Sequence, residues 1–259
     1  MSKRETNINK DSTYHYDDEI FEISQRYGET NYWYVSRREL IIWAVGKYFH
    51  SAKNAIDIGC GTGFNLLGIK QRYPRFDLHG CDASQRSLEI ARSYNTDIQF
   101  FESSIYELNL EEKFDLVMAL DVLEHLDEDV LALKKIYDLL ADNGGAIITV
   151  PQHPFLWSPA DEYAHHVRRY TAKELLSKAT EAGFKVDRKT SFVTSLFPLM
   201  VASRLFDRIM KRPYDFEKEL AVGRLNNFLF RNILSFERSL IRLGISFPFG
   251  GSLMLVLRK

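Results

Sequence analysis

Along this chain, short continuous apolar runs alternate with longer stretches in which apolar residues recur every three or four positions. Residues 33–49 carry Trp33, Leu40, Ile41, Ala44 and Tyr48 at helical spacing, which predicts an amphipathic helix. Apolar runs at 55–58, 76–80, 98–101, 114–120 and 146–150 predict five strands. Leu116, Val117 and Met118 are consecutive, as in strands buried on both faces. Helical stretches lie between them: about 63–72, then 84–94 with Ser84 as N-cap, then 127–140, which the Asn143-Gly144-Gly145 turn is expected to stop. Another helix begins at Thr171, with Glu174 placed for a capping box, and ends near Gly183. Residues 184–186 and 253–257 supply two last strands, and 192–248 read as a largely helical, apolar insertion. Residues 1 to about 30 lack such a pattern and are expected to be loosely ordered or extended.

Strands alternating with helices build βαβ units, so the expected class is α/β: a seven-stranded, mostly parallel sheet with helices on both faces. Four stretches follow: an N-terminal segment with a lid helix (1–50), the core (51–191), the helical insertion (192–248) and a last core strand (249–259).

Composition narrows this picture only a little. With 259 residues, 45% hydrophobic and 27% charged, the chain can bury a sizeable core. A net charge of −1 argues against a broad nucleic-acid surface. Cys60 and Cys81, the two cysteines, fall at strand-to-loop junctions and do not read as a disulfide framework. The polar N-terminus has no secretory core, and no apolar run reaches the roughly 20 residues that span a bilayer. The expected compartment is the cytoplasm.

The chemistry begins at Asp57-Ile58-Gly59-Cys60-Gly61-Thr62-Gly63, a glycine loop that leaves a strand and enters a helix. A dinucleotide fingerprint, G-x-G-x-x-G, would put its third glycine at position 64, which is Phe64. A Walker loop fails too, because no Gly-Lys-Ser/Thr follows. Asp82, after the second strand, stands where an acid accepts bonds from both hydroxyls of a ribose. Asp57 stands where a carboxylate meets a ligand ammonium group. A glycine loop without phosphate chemistry, flanked by these two acids, suits a nucleoside with an amino-acid tail, and S-adenosylmethionine is such a molecule.

The segments AIDIGCGTG (55–63), GCDAS (80–84), FDLVMALDVLEHL (114–126) and LADNGGAIITVP (140–151) together resemble the class I S-adenosylmethionine-dependent methyltransferases. The resemblance implies their Rossmann-like fold. It implies that Asp57, Gly59, Cys60, Gly61 and Thr62 surround the methionine end, that Asp82 holds the ribose, and that Ala83 lies beside the adenine. Ser104 and Ile105 fall where the family contacts the adenine amine, often through an aspartate that is Ser104 here. Leu120 would flank the sulfonium. LWS-x-x-D-x-x-x-x-H-x-R-R-Y (156–170) and NYWYVSRREL (31–40) resemble a subgroup similar to the quinone-biosynthesis methyltransferases. On that resemblance Arg37 or Arg38 contacts the cofactor carboxylate and Trp33 closes the pocket.

The transfer needs alignment and, for a hydroxyl acceptor, a base. Histidine suits that task near neutral pH, and His166 is the first candidate, with His125 beside it. Arg168 and Arg169 either bind an acidic acceptor or pair with Asp161 and Glu162. A similar Glu-His pair binds a divalent metal in quinone-biosynthesis and small-RNA methyltransferases. Asp121, Glu124, His125, His165 and His166 offer suitable ligands, but the pair also occurs in metal-free relatives, and no metal is assigned.

In the insertion, Arg204, Arg208, Lys211, Arg212, Arg231, Arg238 and Arg242 stand among Leu, Ile and Phe. This pattern suits a peripheral membrane contact, a lid over an apolar acceptor, a dimer face or an ordinary packed subdomain. The resulting expectation is O-methylation of a small-molecule, lipid or glycan acceptor, with no nucleic-acid partner. Two rivals stand beside it: a metal-dependent RNA 2′-O-methyltransferase and a non-catalytic S-adenosylmethionine-binding scaffold.

Overall fold

Seven strands form one sheet in the order β3-β2-β1-β4-β5-β7-β6. The computed structural model describes residues 18–94, 97–210 and 214–259. In chain order the elements are α1 (Asp18–Gly28), α2 (Tyr32–Tyr48), β1 (Asn54–Ile58), α3 (Phe64–Arg72), β2 (Asp77–Asp82), α4 (Gln85–Ser93), β3 (Gln99–Glu102), β4 (Phe114–Leu120), α5 (Asp129–Leu139) and β5 (Leu140–Pro151). Then follow α6 (Pro159–Tyr163), α7 (Ala172–Glu181), β6 (Lys185–Phe192), α8 (Phe197–Met210), α9 (Phe216–Leu220), α10 (Arg224–Arg242) and β7 (Ser252–Arg258). Strands β1 to β5 are parallel, and β7 runs antiparallel to both β5 and β6.

Alternation along the central strands sends side chains to two cores. Ile56, Val117, Ile148 and Leu255 pack beneath Leu133 and Ile136 of α5 and Leu175 of α7. Leu116, Met118, Ile147 and Val256 face Leu40, Ile41 and Ala44 of α2, Leu66 of α3, and Leu234 and Ile241 of α10. The insertion is thus tied to the sheet through α10, and β7 closes the fold beyond it.

Three local expectations need correction. The first concerns the N-terminal stretch: residues 18–28 form α1, with Ile20, Phe21 and Ile23 buried. Ile20, Ile23 and Tyr27 had the helical spacing, hidden between polar neighbours; residues 1–17 lie outside the described residues. The second concerns Asn143-Gly144-Gly145, which does not stop a helix. Helix α5 ends at Leu139, and the triplet sits within β5, where pairing with β4 jumps from Phe114–Leu140 to Leu116–Gly145 and Asn143 takes φ 64°. The third concerns the cap of α7: Thr171 Oγ1 accepts from Glu174 N at 3.2 Å, but the Glu174 carboxylate turns to Lys178 at 3.1 Å. The reciprocal capping box is at α6 instead, between Ser158 and Asp161.

Candidate active site

The strand order reverses between β1 and β4, and in an open α/β sheet ligands bind beyond the C-terminal ends of the strands at such a switch point. A cavity of about 1370 Å³ opens there. The ends of β1, β2 and β4 form its floor, and α1, α2 and α9 contribute to its walls.

The loop after β1 is built from three left-handed glycines: Gly59 (φ 65°), Gly61 (φ 53°) and Gly63 (φ 72°). A Cβ on Gly59 would lie 2.6 Å from Val122 Cγ2, so that glycine lets the loop pass the segment that follows β4. A Cβ on Gly61 would meet nothing within 4 Å, so that glycine keeps the backbone open toward the cavity. Asp82 braces the loop from β2. Its Oδ2 accepts from Gly61 N at 2.8 Å and its Oδ1 from Ser84 N at 2.9 Å. Burial raises its pKa, while the Ser84 and Gly61 amides oppose the rise.

The sequence-predicted residues Trp33, Arg37, Gly59, Cys60, Gly61, Thr62, Asp82, Ala83, Ser104, Ile105, Leu120, His125 and His166 all line this one cavity. Asp57 does not. It lies behind the loop, 1% exposed, with Oδ1 lacking a partner. Burial pushes its carboxyl up to about 7; Arg37 pulls the other way, and Asp82 adds to the rise. Arg37 itself pairs with Asp121 across 84 residues of sequence and stacks over Trp33 at 4.7 Å. Thr149 Oγ1 donates to Asp121 Oδ1 at 2.9 Å, holding Asp121 at φ 59° just beyond β4. Arg38 lies over the Phe64 ring, away from this group.

A prediction follows from Asp57. Its folded pKa is raised, so its contribution to stability is greatest below the unfolded value near 4 and falls as pH rises from about 4 to 7. Asp57→Asn removes that cost. At pH 8 it should stabilise the ligand-free chain by about 2–4 kcal/mol in chemical unfolding, with the gain vanishing near pH 4. Equal stability of the two proteins at pH 8 would show that Asp57 is not held near neutral pH.

On the other side of the cavity stands His166. Asp161, 1% exposed at the start of α6, accepts from Ser158 N at 2.9 Å, Ser158 Oγ at 3.1 Å and Arg169 Nε at 2.7 Å, and meets His166 Nδ1 at 2.9 Å. Burial alone would raise the Asp161 carboxyl, but His166 and Arg169 hold it down at about 2. An ionised Asp161 accepts the Nδ1 proton of His166 and leaves Nε2 as the basic nitrogen. Of the two readings of the paired arginines, the pairing one describes the structure in part: Arg169 bonds Asp161, whereas Arg168 bonds Asp129 at 3.0 Å.

His125 packs edge-on against His166, with ring centroids 4.7 Å apart. Burial, then the neighbouring His166, lowers its pKa to about 3, which makes it a poor base near neutral pH. Glu124 is fully buried, and among the described residues neither carboxylate oxygen has a hydrogen-bond partner. Burial first, then Asp121, pushes it well above the usual carboxylate range. Glu124, His125 and His166 each offer a ligand atom within 4.8 Å of the others, and this donor set can hold a divalent cation.

Several wall residues escaped the sequence reading. Tyr163 stacks on Phe216 at 5.3 Å and tilts against Tyr214 at 5.5 Å. Arg204 bonds Glu219 at 2.8 Å beside them. This aromatic wall joins α6 to the α9 region and lines the same cavity. Tyr163 lies within the 156–170 segment and Arg204 within the basic pattern of the insertion, but nothing local to either names the other, and only the fold brings them together.

The comparisons with known proteins agree with this geometry. The profile of a family described as a methyltransferase domain matches residues 36–189. A ubiquinone biosynthesis O-methyltransferase from Rickettsia akari is 28% identical over 120 residues, covering 44% of this chain and 47% of that protein. A trans-aconitate 2-methyltransferase from Methylobacterium radiotolerans is 31% identical over 99 residues, 38% of each chain. The matches thus span about half the length of these curated relatives, or less. Among solved structures, phosphoethanolamine N-methyltransferase 2 of Haemonchus contortus, in complex with S-adenosyl-L-methionine, superposes with a TM-score of 0.62 at 18% identity, covering 96% of this chain and 58% of that one. The plantazolicin methyltransferase BpumL, in complex with SAH, gives 0.60 at 17% identity, covering 94% and 91%. At such identities the structural likeness speaks for the fold, and the profile match over more than half of the chain speaks for the family: this chain belongs to the methyltransferase-domain family, with the Rossmann-like fold of its class I members.

Proposed function

We propose that the chain is an S-adenosylmethionine-dependent methyltransferase that acts on an oxygen of a small-molecule, lipid or glycan acceptor, with an apolar or aromatic acceptor favoured. The observation that carries this reading is the Asp161–His166 pair, which opens into the same cavity as the glycine loop and Asp82. At about 1370 Å³ the cavity exceeds the 300–1,000 Å³ usual for one drug-sized ligand, leaving room for donor and acceptor together.

The residues present fit the donor. Gly61 leaves an open cradle, and each oxygen of Asp82 accepts one amide and keeps a lone pair for a ribose hydroxyl. Ala83, Ser104 and Ile105 would border the adenine, and Leu120 the sulfur end. Arg37, whose Nε is buried without a partner, would meet the carboxylate of the methionine tail. When bound, the donor supplies a methyl group already activated on a sulfonium.

The chain's task is then to align an acceptor and take its proton. The aromatic wall of Tyr163, Tyr214 and Phe216 offers ring faces to an apolar or aromatic acceptor. His166 Nε2 takes the proton of the acceptor hydroxyl, and the ionised Asp161 stabilises the imidazolium that forms. His125 positions the His166 ring and stays neutral. A screen of labelled methyl transfer onto phenols, carboxylic acids, sugars and RNA tests the assignment. Product on phenolic or other small hydroxyl acceptors is expected; product on RNA alone would overturn it.

A further inference from the structure

Helix α10 has two apolar faces. Leu234, Glu237 and Ile241 are buried against the fold, with Glu237 Oε2 accepting from Ser195 N at 2.6 Å. The opposite face carries Leu225, Phe228, Leu229 and Phe236 at helical spacing, continued by Leu243 just past the end. Leu225 is 79% exposed, Phe228 68%, Phe236 67% and Leu243 82%. A helix anchored by one face ordinarily turns polar residues outward. Here the anchoring is complete, and the outward stripe remains Leu and Phe.

Beside the stripe, Arg224, Arg231 and Arg238 recur every seven residues, close to two helical turns. They line a groove of about 560 Å³ between α10 and α2, in which Glu39 is the one acid among the described residues. Among the described residues no carboxylate lies within ion-pair distance of these three arginines; Glu39 reaches toward Arg242 instead, at 3.9 Å. Nε and Nη1 of Arg238 are buried without a hydrogen-bond partner among the described residues. Unpaired guanidinium groups in a groove match phosphate oxygens, and the adjoining stripe matches hydrocarbon. A second copy laid antiparallel on the stripe about a two-fold axis would set arginine row against arginine row. An anionic bilayer satisfies both features at once.

We propose that α10 docks on an anionic membrane surface, its Leu and Phe stripe among the acyl chains and lipid phosphates in the arginine groove. The contact is peripheral: among the described residues no helix is long and apolar enough to cross a membrane. The anchored face of α10 in turn holds one wall of the cavity through Tyr32. Asn227 of α10 accepts from Tyr32 N at 2.7 Å, and Phe230 meets the Tyr32 ring edge-on at 5.1 Å. The docking surface stands on its own residues and does not depend on the methyl-transfer reading.

Co-sedimentation of the full chain with phosphatidylcholine vesicles, with and without phosphatidylglycerol, tests this. Binding is expected only with phosphatidylglycerol, and it should weaken with added salt. Arg224→Gln with Arg231→Gln should lower the partition constant about twenty-five-fold, each arginine near an anionic surface contributing about fivefold. Phe228→Ser with Phe236→Ser should lower it at least about tenfold. All four residues are exposed, so the thermal midpoint should stay that of the native chain. No binding of the native chain to phosphatidylglycerol vesicles at low salt would overturn the proposal, and so would unchanged binding of the arginine variant. A native dimer that Phe228→Ser with Phe236→Ser converts to monomer would assign the stripe to a second copy instead.

Discussion

Replacing His166 with alanine lowers kcat by two to four orders of magnitude, the usual contribution of a positioned base, and leaves donor affinity within about twofold. The split follows from the geometry. The groups proposed for the donor sit on α2, the β1 loop and the ends of β2, β3 and β4, whereas His166 is held by Asp161 of α6. Its loss removes the proton acceptor and leaves the glycine loop intact. A chelator separates the base from a metal role for the same side chain. If His166 acts as a base, the native rate is unchanged by chelation. A rate that falls with chelator and returns with a divalent cation would assign Glu124, His125 and His166 to a metal centre. An unchanged kcat in His166→Ala would remove His166 from the chemistry.

Asp161→Asn is the second large effect, and it strikes stability and rate together. The native carboxylate is buried and meets Ser158, His166 and Arg169. Neutralising it leaves the guanidinium of Arg169, itself 8% exposed, without its counter-charge. Breaking such a buried pair costs about 3–5 kcal/mol. The amide also ceases to fix the His166 tautomer, so kcat should fall at least about a hundredfold in whatever fraction remains folded. The pH dependence gives the sign. The folded pKa of Asp161 is depressed, so its stabilisation is complete above the unfolded value near 4 and is lost as pH falls through about 2. The difference between native and variant in chemical unfolding should therefore be full at pH 6 and shrink in that acid window. Equal stability at pH 6 would contradict this account of the site.

The sheet was legible because its strands are short continuous apolar runs, as in strands buried on both faces, and because Ser84 announces α4 with a side-chain bond to Ser87 N. The cavity floor was legible for a different reason. Gly59, Gly61 and Gly63 hold left-handed backbone, and the place of Phe64 excludes the dinucleotide loop. Elements whose cause lies far off in the chain were not legible. The Arg37–Asp121 pair was not foreseen, because nothing local to either residue names the other. Tyr163 and Phe216 meet only because the insertion returns across the sheet edge. Asn143 could bend a chain at a helix end or bulge a strand, and packing of β5 between β4 and β7 decides for the bulge. Arg208, Lys211 and Arg212, part of the basic pattern of the insertion, lie outside the residues whose side chains are described.

Calorimetric titration of the native chain with S-adenosylmethionine, beside Asp82→Ala, decides whether the glycine-loop cavity is a donor site. Asp82 is the group proposed to take both ribose hydroxyls, and hydrogen bonds to a charged group contribute about 1.5–3 kcal/mol each. The native chain should bind one donor per chain, and Asp82→Ala, shown folded by its circular dichroism, should bind about a hundredfold more weakly. No binding by the native chain, or equal affinity in the folded variant, would contradict the account.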